Sequence, residues 1–292
     1  MAQQAAATLR WASAPPAHVV FANSSQAGNG SVYGTAKAEA SGILRNAAEE
    51  VGATFTDITL PNLFGEHGKP FYNSVVATFC HLLQSRGRPE IKEDRELNLL
   101  HAQAAADLLL GRLPLDQLNG HTTRISVSEL LARLQELSVI YGSGDVPPLA
   151  TDFELDLFNT YRSFRIGDEL PFTLQRRADA RGSFFEVCKS HGGSGQTSFS
   201  TTAPGVTRGD HYHRRKVERF VVLSGEAEIA MRRLFSNQVL RFKVSGDSPV
   251  AIDMPTFWTH NILNTGDREL YTLFWTNDIF DASNPDTTAE KV

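Results

Sequence analysis

The 292-residue sequence predicts two parts of different class: an α/β domain with a parallel sheet over residues 1–140, then an all-β barrel or jelly roll over 170–292. Three observations predict it. Apolar runs alternate with helix-period segments as far as Tyr141, and the stretch "YGSGDVPPLATDFELD" is turn-rich and acidic, which reads as a linker over 141–169. Beyond Leu170 the helix period gives way to short β-type runs broken by Gly, Asp, Asn and Ser.

In chain order, "HVVFA" at 18–22 reads as a buried strand, and "AKAEASGILRNAAEEVG" at 36–52 as a helix that Gly52 stops. "ATFTDITL" is the next strand. "NSVVATFCHLLQSRG" and "HAQAAADLLLGRL" carry helix periodicity, and "SVSELLARLQEL" opens with a capping box of Ser126 and Glu129. In the second part "SFFEVCK", "QTSFSTT", "VERFVVLSG", "EAEIAMRRL", "VLRFKVSG", "SPVAIDM" and "ELYTLFW" are the strand candidates.

Composition narrows the function classes. With 41% apolar and 21% charged residues the chain is of globular type, and a formal net charge of −5 offers no basic footprint for nucleic acid or an anionic membrane surface. The two cysteines, Cys80 and Cys188, form no CxxC pair, so a reducing cytoplasm is the expected location. The N-terminus lacks a basic, apolar leader pattern, and no run approaches the length of a membrane-spanning helix, so neither export nor membrane insertion is expected.

The strongest chemical signal is "PGVTRGDHYHRRKVERFVVLSG". His211 and His213 are two apart, so on a strand both rings point to one face; Glu218 follows, and "PTFWTHNILN" supplies His260. Three imidazoles and a carboxylate on facing strands suit zinc or another first-row divalent ion, with positions open for water or substrate. A lone HxH is more often a pair of surface or hydrogen-bonded histidines. Here Gly205, His211, His213, Glu218 and Gly225 match the first cupin motif, and Pro255, His260 and Asn264 the second. Phe257 stands where that motif usually has glycine, which would put its ring near the pocket mouth.

"DARGSFFE" with "SFSTTAPGVTRGDHYH" resembles the dTDP-4-keto-sugar 3,5-epimerases, a resemblance that implies nucleotide-diphosphate binding by Arg181 and a proton-abstracting role for His211. The longer run from "DARGSFFE" to "THNILNTGDRELYTLFWTNDIFDASNPDT" resembles the cupin domain of bifunctional capsular-polysaccharide enzymes, which join an extended short-chain reductase to a zinc cupin. That resemblance implies C3 epimerisation of a UDP-4-keto-6-deoxy-hexosamine, C4 reduction with NADPH, and a homodimer. Its substrate contacts would be Arg181, Arg208, Asn62 and Asn73. The metal-ligand and base roles compete for His211; the ligand role is favoured because His213 and Glu218 would otherwise share no purpose, and the base is left open.

The same family covers "HVVFANSSQAGNGSVYGTAKAEA" and "PNLFGEHGKPFYNSVVATFCHLL". It implies a partial Rossmann-like reductase over 1–140, with Tyr33 as proton donor, Lys37 lowering its pKa and binding the nicotinamide ribose, and Ser24 or Ser25 polarising the substrate. No GxGxxG precedes Tyr33, so the reductase is expected to be N-terminally truncated and NADPH-dependent reduction weak or lost; a mis-called start, a degraded gene and a true shortening stay open. A non-catalytic sugar-nucleotide-binding or scaffolding cupin is the alternative, and an iron oxygenase is disfavoured by the phosphate-binding pattern.

Overall fold

The computed structural model describes residues 1–166, 170–175, 177–179, 182–184 and 187–292, with backbone alone at 177–179 and 182–184. These residues form two compact units, 1–65 with 91–130, and 66–90 with 131–292.

The chain opens with α1 (Ala2–Trp11), β1 (His18–Ser24) and α2 (Val32–Glu50), and continues through β2 (Thr54–Leu60) and β3 (Asn62–Phe64). Helix α2 starts where the Ser31 hydroxyl accepts from the Gly34 amide at 3.0 Å, a cap that replaces an orphan donor's water. It ends before Gly52, whose φ of 75° suits glycine. After α3 (Val75–Gln84) of the second unit come β4 (Glu96–His101), α4 (Ala102–Leu109) and β5 (Thr122–Ser126).

The expectation of a partial Rossmann-like α/β domain is overturned. Strands β1 and β2 pair in parallel as a sheet of two, while β3, β4 and β5 form a separate sheet of three whose last pair is antiparallel. Among the described residues no doubly wound parallel sheet occurs, and more of them lie in strands than in helices. Pro61 supplies a physical reason: it interrupts the extended run 54–64 and has no N–H for a ladder, so pairing passes from β1 before it to β4 after it. The two ladders still share one apolar core of Ile58, Leu60, Leu100, Ala105 and Leu108. Alternating periodicity specified β1, α2, β2, α3 and α4; it specified neither β4 and β5 nor which strand edges pair.

Helix α5 (Val127–Gly142), whose first turn belongs to the first unit and the rest to the second, begins on the capping box seen in the sequence, the Ser126 hydroxyl accepting from the Glu129 amide and the Glu129 carboxylate from the Ser126 amide. Residues 141–169, read as a linker, hold α6 (Asp152–Ser163), started by a second capping box of Thr151 and Glu154. Its Leu157, Phe158 and Tyr161 are buried. Asn159 donates to the Arg215 carbonyl at 2.8 Å and Arg162 to that of Lys216, so the helix is stitched to the strand-rich region.

That region comprises β6 (Phe172–Thr173), the hairpin β7 (Arg177–Asp179) with β8 (Gly182–Phe184), β9 (Gln196–Thr202), β10 (Thr207–Tyr212), β11 (Glu218–Ser224), β12 (Glu226–Arg233), β13 (Val239–Ser245), β14 (Val250–Met254), β15 (Trp258–Asn264), β16 (Leu270–Thr276) and β17 (Thr288–Ala289). Two antiparallel five-stranded sheets result, ordered β13-β12-β15-β10-β17 and β6-β14-β11-β16-β9. Val222, Ile252, Met254 and Leu270 of one sheet pack in a single cluster with Ile229, Met231, Val244 and Ile262 of the other. The sheets therefore face each other as a cupin-like sandwich. Outside it, Arg219 and Asp253, each 1% exposed, pair at 2.6 Å, and the Tyr141 hydroxyl donates to Asp253 at 2.6 Å. This buried charge pair is fully partnered, which offsets its desolvation.

Candidate metal centre

Strand β10 reaches the site through a bulge. Gly209 lies opposite Asn261 and His211 opposite His260, so Asp210 is the extra residue. Gly209 takes φ 109°, and a Cβ there would stand 2.8 Å from the His260 carbonyl oxygen, so the close approach of β15 requires glycine. The bulge sets His211 directly across from His260. Glu218 enters as the first residue of β11, on the facing sheet.

The donor atoms of His211, His213, Glu218 and His260 all lie within 4.8 Å of one another. His213, Glu218 and His260 are buried and His211 is partly so. Glu218 Oε2 lies 3.0 Å from His213 Nε2 and 3.3 Å from His260 Nε2. The second contact is poorly directed, and His260 Nε2 is left as a buried nitrogen without a hydrogen-bond partner. Burial pushes the Glu218 carboxyl upward, but the His213 and His260 imidazoles outweigh it and hold it well below the usual carboxylate range. Burial, with His260 and His213 alongside, pushes His211 down to about 4. A carboxylate beside an imidazole that is neutral at neutral pH is the state a metal needs of its ligands. An orphaned buried nitrogen among three imidazoles and one carboxylate suits a divalent first-row ion.

The quartet lines a cavity of about 370 Å³, with Arg208, Lys216 and Asp278 as its other charged residues among those described and Phe220, Phe274 and Phe280 among its apolar ones. Gln196, Ser198 and Ser200 of β9 add a polar wall. Phe257 is not among the lining residues; it stands at φ 61°, the region that glycine enters without strain, and its amide donates to the His213 carbonyl at 2.9 Å. The glycine of the motif is thus a backbone requirement that phenylalanine meets here at a cost.

The remaining sequence candidates are dispersed. Arg208 lines the cavity, whereas Arg181 lies outside the described residues. Asn62 begins β3 in the first unit and Asn73 precedes α3 in the second, both exposed, the latter at φ 54°. Tyr33 and Lys37 sit one turn apart on α2, with Tyr33 49% exposed. The Lys37 ammonium donates to the Ala22 carbonyl at 2.8 Å and stands 6.0 Å from the Tyr33 ring centre. Ser24 ends β1, its hydroxyl accepting from the Gln26 amide. Sequence reasoning missed Lys216, in the cavity wall, and Asp286, whose carbonyl lies 2.6 Å from His213 Nδ1. Neither falls in a recognisable spacing; both depend on tertiary placement.

A cupin-like sandwich with a convergent three-histidine, one-carboxylate cluster lining a partly polar cavity defines a class of protein able to hold a divalent ion beside a small-molecule ligand. Comparison with known proteins refines it. Residues 177–288 match the polysaccharide biosynthesis C-terminal domain family. The chain is 31% identical over 286 residues to UDP-2-acetamido-2,6-β-L-arabino-hexul-4-ose reductase of Pseudomonas aeruginosa, covering 93% of this chain and 74% of the relative. It is similar to the crystal structure of the capsular polysaccharide assembling protein CapF of Staphylococcus aureus, with a TM-score of 0.52 and 32% identity over 94% of this chain and 76% of that one. The spore coat polysaccharide biosynthesis protein SpsL of Bacillus subtilis is 23% identical over 122 residues, 39% of this chain and 81% of the relative. The chain belongs to the family of the Pseudomonas reductase, a family of sugar-nucleotide epimerases and reductases. No helix of the described residues is long and apolar enough to cross a membrane.

Proposed function

We propose that the protein is a sugar-nucleotide epimerase of surface-polysaccharide biosynthesis, acting at C3 of a UDP-4-keto-6-deoxy-hexosamine. The observation that carries the reading is the convergence of His211, His213, Glu218 and His260 on one cavity. Those four residues would hold the metal, with zinc the first choice. A divalent ion bound there supplies Lewis acidity, which lowers the cost of removing a hydrogen next to a ketone. Arg208 and Lys216 bring positive charge to the cavity, suited to the diphosphate, and Phe220, Phe274 and Phe280 give apolar surface to the deoxy side of the sugar. Arg181 joins them in this reading as a further diphosphate contact.

For the first unit the reading is narrower. Ser24, Tyr33 and Lys37, with Asn62 as a substrate contact, correspond to a carbonyl-reducing set; Asn73, the other substrate contact of the reading, belongs to the second unit. Tyr33 is half exposed and the Lys37 ammonium is committed to the Ala22 carbonyl, so we assign NADPH-dependent reduction as weak or lost and derive no step through the cofactor. A cytoplasmic homodimer completes the proposal.

The test is solvent-deuterium incorporation at C3 of a UDP-4-keto-6-deoxy-hexosamine. Exchange is expected with zinc-loaded protein, lost on chelation and restored by zinc. A fully metallated protein that leaves C3 unexchanged would overturn the reading.

A further inference from the structure

The C-terminal strap that crosses the site contains one residue bonded both to a member of the quartet and to the loop beside it. The Asp286 carbonyl lies 2.6 Å from His213 Nδ1. A carbonyl can only accept, so Nδ1 donates to it, which leaves Nε2 as the ring atom that faces Glu218 and is available to a metal. The Asp286 carboxylate meanwhile accepts three consecutive amides: Arg214 at 3.0 Å through Oδ1, and Arg215 at 2.9 Å and Lys216 at 2.8 Å through Oδ2. These amides belong to the loop that separates His213 from Glu218. One residue therefore fixes both the tautomer of the first and the chain path to the second.

The strap is anchored on either side of Asp286. Lys216 Nζ donates to the Pro285 carbonyl at 2.9 Å, and β17 pairs with β10 so that Ala289 lies opposite His211. The Thr259 hydroxyl, next to His260, donates to the Glu290 carbonyl. Asp286 itself holds φ 43°, the left-handed region that a non-glycine residue occupies only when its surroundings impose it. A bare turn staple would need the carboxylate contacts alone; the additional bond to the imidazole sets this residue apart.

We propose that Asp286 is the positioning residue of the metal centre, setting the tautomer of His213 and the separation of His213 from Glu218. The proposal rests on the reading of the quartet as a metal site. Outer contacts of this kind typically change metal affinity by about 10–100-fold.

The experiment compares Asp286→Asn, Asp286→Glu and a control, Asp281→Asn, in the full chain. Asp281 caps Ser283 in the same tail and touches none of the quartet. Zinc affinity is measured by chelator competition, and the visible spectrum of the cobalt(II) form reports ligand geometry. Asp286→Asn is expected to bind zinc at least about tenfold more weakly with an altered cobalt spectrum. Asp286→Glu should recover part of the loss and the control should match the parent. Zinc affinity within twofold of the parent and an unchanged spectrum would overturn the proposal, as would failure of both Asp286 variants to fold, which would make it a folding residue only. A parent protein that binds no zinc or cobalt overturns the metal reading itself, a result distinct from either of these.

Discussion

The two sets of candidate residues differ in how they come together. Ser24, Tyr33 and Lys37 are near neighbours in sequence, and the last two share a helix face because i and i+4 always do. His211, His213, Glu218 and His260 come from two strands of one sheet, the stretch after one of them, and the facing sheet, and they meet in the interior. Burying several polar groups together costs free energy unless they are partnered, so such convergence points to a use more strongly than helical spacing does. The first set is surface-facing, with Lys37 and Ser24 bonded to backbone; the second is enclosed, and its surroundings push His211 and Glu218 below their ordinary values.

The sharpest way to break this comparison is to disable each set in turn. His213→Ala is expected to reduce C3 exchange and zinc affinity by more than about a hundredfold, since it removes a ligand outright. Tyr33→Phe should leave exchange within about twofold, set against the 10²–10⁴-fold worth of a true acid–base group. An equal loss in both variants would place the two sets in one chemistry.

Stability offers a second contrast. Asp253→Ala strands the buried Arg219 and removes the acceptor of Tyr141, and should cost about 3–5 kcal/mol in urea unfolding. Glu50→Ala removes the exposed Arg10–Glu50 pair of the first unit and should leave the melting point unchanged.

A third contrast is a pH slope. Burial, with Arg233 nearby and Glu66 opposing, pushes His67 down to about 4, against 6.5 when unfolded. The unfolded chain then binds the extra proton between those values, so stability rises as pH increases from about 4 to 6.5, by at most about 1.4 kcal/mol per pH unit. His67→Asn should flatten that part of the profile. An unchanged slope would show that His67 is not held neutral by its surroundings.

The sequence carried a good deal of this. HxH followed by a glutamate and a distant histidine marked the quartet, and the capping box at Ser126 and Glu129 appears as read. Strands β1, β2, β9, β11, β12, β13, β14 and β16 were also legible, because periodicity and turn residues are local, whereas β4, β5, β6 and β17 were not, and the candidate "SFFEVCK" lies partly outside the described residues. The sheet to which β3 belongs was not, since Pro61 ends one ladder and the partner that takes over is remote in sequence. Nor was α6, whose two-sided apolar and polar pattern lies behind a turn-rich approach.

By itself, then, the amino-acid order determined which residues are able to bind a metal and which short segments extend or coil. Those properties follow from side-chain chemistry and from backbone preferences within a few residues. The tertiary structure alone decided that Asp286 reaches back to His213, that Arg219 finds Asp253, and that the first unit's strands divide between two ladders. Each is a pairing between remote parts of the chain, selected by burial and hydrogen-bond satisfaction over the whole unit and carried by no local pattern.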